Sequence, residues 1–239
     1  MCELFAACCS IPINPLTELT SLRRFADKSP DGWGIGYFNE DEKPQVLKRG
    51  EPASKGNEYL ITAETARSRL VLAHLREASD KSTVSDINAH PFTLDLLERP
   101  WLFAHNGTMS VEYKPLGAKV DATIDSARLF EFLGDQISSW YLRKTLRSLC
   151  GAVKRAVERS YLEFRGTANF VLTDGECCFV NKDGMHHNQI FVKRSHESIQ
   201  FCTKQLSKGW FGMWKPSGFR GRLILAANGR LLCSQRIAV

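Results

Sequence analysis

The 239-residue sequence is 43% hydrophobic and 24% charged, with a formal net charge of +6 at pH 7. This composition is typical of a globular chain and excludes disorder, collagen-like repeats and a coiled coil. No apolar run approaches the roughly 18–20 residues that a membrane-spanning helix needs.

The first predicted element is a short buried strand at residues 2–9, which ends before Pro12. This segment has no basic start, and Glu3 stands where a signal peptide requires a cation. We therefore expect a chain that stays in the cytoplasm. Apolar residues at every third position from Leu16 to Phe25 then predict a helix.

Glycines alternate with bulky residues between Asp31 and Phe38, which predicts a tight turn and a strand whose backbone closely approaches a neighbour. Further buried strands are predicted at residues 70–75 and 101–104. Polar residues follow each of these strands directly. Polar groups at strand ends are where a rigid scaffold presents chemistry.

Two helices are predicted next, at about residues 125–138 and 140–160, because apolar residues recur at intervals of three or four. Short strands bounded by turn residues follow, at 169–173, 177–181, 189–193, 199–203 and 222–226. Strands, a pair of helices and strands again predict one α+β domain with helices packed on sheets.

The eight cysteines are too sparse for a disulfide framework, and adjacent pairs such as Cys8-Cys9 lack the spacer of a zinc site. We interpret six or seven of them as small buried apolar residues. The last 42 residues carry seven Lys or Arg and no acidic residue. Such a segment could meet nucleic acid or an acidic partner, but without a nucleic-acid-binding motif a charged face spread over several strands is favoured.

Cys2 stands out because of its position. Aminopeptidases remove Met1 before a small residue, which would leave Cys2 with both a thiol and a free α-amine. An α-amine titrates near ~7.7–8.0 and can act as a general base for the thiol of the same residue. The alternative is that a cysteine stands at this position by chance.

Asn106 and Gly107 could form an oxyanion hole, because a side-chain amide and an unhindered backbone N–H can both donate to a carbonyl oxygen that becomes negative. On pattern alone, Asn-Gly is also typical of a hairpin turn.

Arg76 and Asp125 have the charges needed to hold an amino acid. The planar guanidinium of Arg76 suits a carboxylate, and Asp125 could hold an ammonium group. The structural alternatives are a salt bridge for Arg76, with Glu77 or a distant carboxylate, and a helix N-cap for Asp125.

The histidines do not predict a metal centre. No pair among His74, His90, His105 and His186-His187 has the helical spacing with an intervening acid that a metallohydrolase shows. We expect no metal and no cofactor, and we interpret His74 and His105 as buried residues at strand ends.

Six motifs follow one another in a fixed order along the sequence. They are Cys2-Glu3-Leu4, Asp31-Gly32-Trp33-Gly34-Ile35, His74-Leu75-Arg76, His90-Pro91-Phe92, Phe103-Ala104-His105-Asn106-Gly107 and Thr123-Ile124-Asp125-Ser126. This order resembles the class II glutamine amidotransferases, and most closely their stand-alone bacterial members, which consist of the glutaminase domain alone. We therefore expect residues 1–239 to form a single glutaminase domain.

The resemblance implies an N-terminal-nucleophile hydrolase fold, a four-layer αββα sandwich. It also implies that Cys2 is the nucleophile, that Asn106 and Gly107 form the oxyanion hole, and that Arg76 and Asp125 hold the glutamine carboxylate and ammonium. The reaction would proceed through a γ-glutamyl thioester to glutamate and ammonia, which is released or passed to a partner synthase.

Two departures and two alternatives accompany this resemblance. Ser29 replaces a histidine that is often found before Asp31, and Ala127 replaces an acidic residue that commonly follows Asp125 and Ser126. One alternative function is hydrolysis of another γ-glutamyl compound. The other is a non-catalytic binding subunit that uses the basic C-terminal region, with nucleic acid the less expected partner.

Overall fold

The computed structural model describes residues 2–117, 119–184, 189–207 and 214–238. Its helices are α1 (Leu16–Arg23), α2 (Glu58–Thr65), α3 (Asp125–Trp140) and α4 (Leu146–Glu163). Its strands are β1 (Glu3–Ile13), β2 (Trp33–Phe38), β3 (Pro44–Arg49), β4 (Ser68–Leu75), β5 (Phe92–Leu96), β6 (Arg99–Met109), β7 (Gly166–Thr173), β8 (Cys177–Lys182), β9 (Phe191–Arg194), β10 (Ser198–Cys202), β11 (Lys215–Pro216), β12 (Arg222–Ala227) and β13 (Arg230–Arg236).

The strands of the described residues form two antiparallel sheets. The seven-stranded sheet has the order β11-β9-β10-β1-β4-β2-β3, and the six-stranded sheet has the order β13-β12-β8-β7-β6-β5. The first strand of the chain is therefore central in one sheet, and β6 lies next to the edge strand of the other.

Apolar clusters in the described residues define four layers. One cluster joins α1 and α2 to the outer face of the seven-stranded sheet, with Phe5 and Tyr59 among its members. A second joins α3 and α4 to the outer face of the six-stranded sheet around Phe130. A third, which includes Leu4 and Leu102, fills the space between the sheets. The predicted four-layer αββα sandwich is confirmed.

Strand β1 is buried on both faces, which explains its continuous apolar sequence. Leu4, Ala6 and Cys8 face the other sheet, and the alternate residues Phe5 and Ala7 face the helices. Because β1 starts at Glu3, Cys2 lies at the end of a strand that packing holds from both sides.

Three helices of the described residues were predicted, and their largest boundary difference is at the start of α4. The second long helix begins at Leu146 and not near residue 140, because the Thr145 hydroxyl accepts a hydrogen bond from the Ser148 N–H at 3.2 Å and caps it there. The elements β3, α2, β5, β11 and β13 were not predicted. Within the described residues, no helix combines the length and the apolar character needed to cross a membrane.

The interpretation of the cysteines as buried residues is confirmed. All eight are free, and six are buried, whereas Cys2 and Cys233 are partly exposed. The apolar surroundings account for this pattern, because a free cysteine behaves as a small hydrophobic residue.

The basic residues of the C-terminal segment are divided between the sheets. Lys215 lies on β11 of the seven-stranded sheet, while Arg222 and Arg230 lie on β12 and β13 of the six-stranded sheet. Lys208 lies outside the described residues. This distribution agrees with a charged face spread over several strands.

Candidate active site

Cys2 lies just before β1 and is partly exposed. Its Sγ accepts a hydrogen bond from the Glu77 N–H at 3.2 Å and donates one to the Glu77 carbonyl at 3.4 Å. Burial of the thiol raises its pKa to about 12, against the opposing effect of the Arg76 guanidinium. In the chain that still carries Met1, the sulfur is therefore a protonated thiol at neutral pH.

Asn106 reaches Cys2 from the opposite sheet. Its Nδ2 donates a hydrogen bond of 2.7 Å to the carbonyl oxygen of Cys2. Asn106 and Gly107 lie within β6, where they pair with Asn169 and Ala168 of β7. The hairpin-turn interpretation of these two residues is therefore wrong, because the strand continues to Met109.

Gly107 has a φ of +156°, a conformation that favours glycine. A Cβ at this position would lie 2.0 Å from the carbonyl oxygen of Thr167 on the neighbouring strand. The close approach of β7 thus requires glycine here.

Arg76 follows β4 and is 5% exposed. Its guanidinium donates to the Thr83 carbonyl at 3.2 Å and to the Thr83 hydroxyl at 2.7 Å. Burial lowers its pKa, while the nearby Cys2, Asp31 and Asp125 oppose that shift. Arg76 is thus oriented by Thr83 and lies within electrostatic reach of both Cys2 and Asp125.

Asp31 holds the segment that carries Arg76. Its Oδ2 accepts a hydrogen bond from the Ala78 N–H at 2.8 Å and pairs with the Lys81 ammonium. Burial alone raises the pKa of this carboxyl, but Lys81, the Ala78 N–H and Arg76 outweigh it and lower the pKa below its usual range.

Asp125 is the first residue of α3 and is partly exposed. Its Oδ2 accepts from the Met109 N–H at 2.9 Å, and its Oδ1 accepts from the Ser126 N–H at 2.8 Å. The N-cap interpretation is wrong, because Ile124 holds the cap position without a side-chain hydrogen bond. Asp125 instead joins the start of α3 to the end of β6.

The histidines of the motifs are buried beside these groups. His74 Nε2 lies 3.1 Å from the His105 carbonyl oxygen, and the rings of His74 and His90 are 4.3 Å apart. His105 Nδ1 lies 2.9 Å from the Ser126 hydroxyl. His74 and His105 are both buried, as expected, and His74 lies near the end of β4. The expected strand-end position is wrong for His105, because β6 continues past it to Met109.

The described parts of the chain contain no group of three or more His, Cys, Asp or Glu side chains that could hold a metal ion. His186 and His187 lie outside the described residues.

The structure brings the five predicted site residues into one region, although they are spread over more than a hundred positions of sequence. Pattern reading missed Thr83, Asp31 and Lys81, which hold Arg76 and its segment. Only Asp31 had a sequence signal, as part of the Asp-Gly turn before β2. Thr83 acts through a carbonyl and a hydroxyl in a short polar stretch that has no periodicity.

A cleft of about 570 Å³ lies elsewhere, at the opposite end of β1. Cys9 and Pro12 line it together with Arg67, Arg69 and Glu40. Its lining includes none of the five predicted site residues, and it mixes both signs of charge. This cleft is therefore separate from the candidate site, where the contacts join charged and nucleophilic groups.

Comparison with known proteins identifies relatives. Residues 1–208 match the family described as Glutamine amidotransferases class-II. An uncharacterized protein of Methanocaldococcus jannaschii is 32% identical over 207 residues, which cover 81% of this chain and 54% of that protein. The gamma-glutamyl-hercynylcysteine sulfoxide hydrolase of Mycolicibacterium smegmatis is 30% identical over 97 residues, which cover 41% of each chain.

Among solved structures, the glutamine phosphoribosylpyrophosphate amidotransferase of B. subtilis matches with a TM-score of 0.71 at 12% identity, over 99% of this chain and 49% of that one. At this identity the likeness concerns the fold, which is that of the N-terminal-nucleophile hydrolases. The chain spans about half the length of the curated relatives that it matches.

Proposed function

The chain belongs to the class II glutamine amidotransferases, and we propose that it hydrolyses the side-chain amide of glutamine through a γ-glutamyl thioester on Cys2. The observation that carries this proposal is the 2.7 Å bond from Asn106 Nδ2 to the Cys2 carbonyl. It sets a candidate oxyanion donor beside a candidate nucleophile that comes from the other sheet. The proposal treats residues 1–239 as one glutaminase domain.

In this proposal Arg76 and Asp125 bind the amino-acid end of glutamine. The α-carboxylate pairs with the Arg76 guanidinium, and the α-ammonium pairs with the Asp125 carboxylate. Both side chains are already oriented, Arg76 by Thr83 and Asp125 by the Met109 N–H. Fixing this end of the substrate would make attack on the amide effectively unimolecular.

The nucleophile becomes competent when Met1 is removed. The Met1–Cys2 peptide bond is hydrolysed, and the amine that it releases takes the proton of the Cys2 thiol. The thiolate attacks the amide carbon, and the amine then returns the proton to the leaving nitrogen, which departs as ammonia. Water hydrolyses the resulting thioester to glutamate and restores the thiol.

Asn106 and Gly107 stabilise the oxyanion of the tetrahedral intermediate in this scheme. The Asn106 amide carries two N–H hydrogens, and its bond to the Cys2 carbonyl uses one of them. Loss of one oxyanion donor typically costs ~2.7–4 kcal/mol of transition-state stabilisation.

A second candidate is hydrolysis of a different γ-glutamyl compound. It is favoured by the similarity to the hydrolase of Mycolicibacterium smegmatis, whose name specifies a γ-glutamyl substrate. The same clamp would bind the same amino-acid end, and only the leaving group would differ. In either case ammonia or an amine is released, and a partner synthase is one possible acceptor of ammonia.

The test is release of ammonia and glutamate from glutamine, measured beside a panel of γ-glutamyl amides, with intact mass recorded for the purified protein. We expect the purified protein to lack Met1. We also expect the Cys2→Ala variant to turn over glutamine at least about a thousandfold more slowly than the unsubstituted protein. Turnover that Cys2→Ala leaves unchanged contradicts both candidates. Full activity in protein that retains Met1 contradicts the role of the α-amine.

A further inference from the structure

We propose that Asn88 is a positioning residue that couples the two halves of the amino-acid clamp, and this inference rests on the proposed function. Asn88 is 5% exposed and lies in the segment between Thr83 and β5. Its side chain contacts neither Arg76 nor Asp125 through the hydrogen bonds described for it. It acts on each of them through a neighbouring residue.

The first half of the coupling runs through Thr83. Asn88 Nδ2 donates a hydrogen bond of 3.0 Å to the Thr83 carbonyl oxygen. The same oxygen accepts from the Arg76 guanidinium at 3.2 Å. Asn88 therefore holds the group that orients the carboxylate-binding side chain.

The second half runs through Thr123. The Thr123 N–H donates to Asn88 Oδ1 at 3.2 Å. Thr123 stands two residues before Asp125, in the segment that leads into α3. Asn88 therefore also holds the approach to the ammonium-binding side chain.

Only an amide can serve both partners without rearrangement. Asn88 donates to a carbonyl on one side and accepts from an N–H on the other. A carboxylate lacks the donor, and an apolar side chain lacks both groups. Asn88 itself is buried, and both of its hydrogen bonds are partly buried. Without the amide, the Thr83 carbonyl would keep only the Arg76 guanidinium among these donors, and the Thr123 N–H would lose its link to the Thr83 segment.

The experiment compares Asn88→Ala with Asn14→Ala in the full chain. Asn14 serves as the control, because its Nδ2 also makes two hydrogen bonds to backbone carbonyls of a distant segment, those of Ala63 and Glu64 in α2, but it contacts none of the site residues. Two competitive inhibitors report on the separate ends of the clamp. Glutaramate lacks the α-ammonium group of glutamine, and γ-aminobutyramide lacks its α-carboxylate.

For Asn88→Ala we expect the KM for glutamine to rise about tenfold while kcat stays within about threefold. The inhibition constants of glutaramate and γ-aminobutyramide should each rise about threefold, because each inhibitor uses one half of the clamp. Asn14→Ala should leave all these values unchanged. An effect on one inhibitor alone, or a loss confined to kcat, would overturn the inference.

Asn88→Asp keeps the acceptor for Thr123 and removes the donor for Thr83, so it tests the inference even if the alanine variant fails to fold. Asn88→Asp should raise the inhibition constant of glutaramate and leave that of γ-aminobutyramide unchanged. Equal effects on both inhibitors, or none, contradict the coupling. Failure of the proposed function is recognised separately, because the unsubstituted protein would then release no ammonia or amine from glutamine or the γ-glutamyl panel.

Discussion

Two aspartates of the molecule make similar hydrogen bonds in different surroundings. Asp125 accepts from the Met109 N–H at the end of β6, and Asp183 accepts from the Ala168 N–H on β7 at 2.9 Å. Asp183 also accepts from the Tyr161 hydroxyl at 2.8 Å and is 3% exposed. Asp125 is partly open to solvent.

Exposure to solvent separates a carboxylate that can bind a ligand from one that only supports the backbone. Both carboxylates fix the backbone of the strand pair that carries Gly107, which lies opposite Ala168. Only Asp125 presents charge where a ligand could reach it. A hydrogen-bonded aspartate at a strand end is therefore not diagnostic by itself, and the exposed side of the carboxylate decides its role.

Of the two aspartates, Asp125 should have the larger effect on activity. Asp125→Asn keeps the shape and removes the charge, so kcat/KM for glutamine should fall about 100- to 1,000-fold, as for loss of one partner of a charge pair. The free energy of unfolding should change by less than about 1 kcal/mol. Steady-state kinetics and denaturant unfolding measure the two effects. A loss of stability without a loss of kcat/KM would show that Asp125 supports the backbone and does not bind substrate.

Asp183→Ala should show the opposite behaviour. It leaves the Ala168 N–H without this acceptor, and a buried unsatisfied group costs about 1–3 kcal/mol, while the Tyr161 hydroxyl can still donate to the Ala168 carbonyl. We expect the free energy of unfolding to fall by about 1–3 kcal/mol while kcat/KM of the folded protein stays within about threefold. Tyr161→Phe, which retains the carboxylate, is the milder control. A 100-fold kinetic loss at unchanged stability would assign Asp183 to the site.

The smallest effect is the loss of stability at low pH caused by the buried His74, whose ring lies against the carbonyl of His105. Burial, reinforced by Arg76 and His105, lowers the pKa of His74 to about 3, whereas an unfolded histidine titrates near 6.5. Below pH 6.5 this histidine is protonated in the unfolded chain but stays neutral in the folded protein. The free energy of unfolding therefore decreases as the pH falls from 6.5 toward 3.

Between pH 7.5 and 5.5 this histidine should lower the free energy of unfolding by about 1.4 kcal/mol. Denaturant unfolding at the two pH values measures the loss, and His74→Phe should reduce it by about that amount. An equal loss in the variant and the unsubstituted protein would show that other groups dominate. His105 is lowered in pKa by burial too, but Asp125 and Asp183 partly oppose that shift.

Much of the fold follows from the sequence where the apolar pattern is strong. Strand β1 reads as a continuous apolar run because both of its faces are buried, and α3 and α4 read as amphipathic helices because each has one buried side. The edge strands β3 and β13 were not predicted, because their residues are partly exposed and form no continuous apolar run.

The site was predictable in its charged and nucleophilic residues but not in its supports. The order of the motifs identified Cys2 and Asn106, which touch across 104 positions of sequence. Thr83 contacts Arg76 partly through its backbone carbonyl, and the Asn88 side chain bonds to the Thr83 carbonyl and the Thr123 N–H, which are backbone groups with no signal in the sequence. No pattern of side chains could reveal such partners before the loop between β4 and β5 was folded.

The bond between Asn106 and Cys2 has a consequence for how the reaction centre tolerates change. Its two ends belong to different sheets, whose separation is set by apolar side chains such as Leu4, Leu102 and Val171. Facing sheets pack about 10 Å apart, and their side chains interlock with little free volume. The alignment of thiol and amide is thus governed by the bulk of aliphatic groups that take no part in bond making, and resizing those groups would misalign the chemistry while every reactive atom stayed in place.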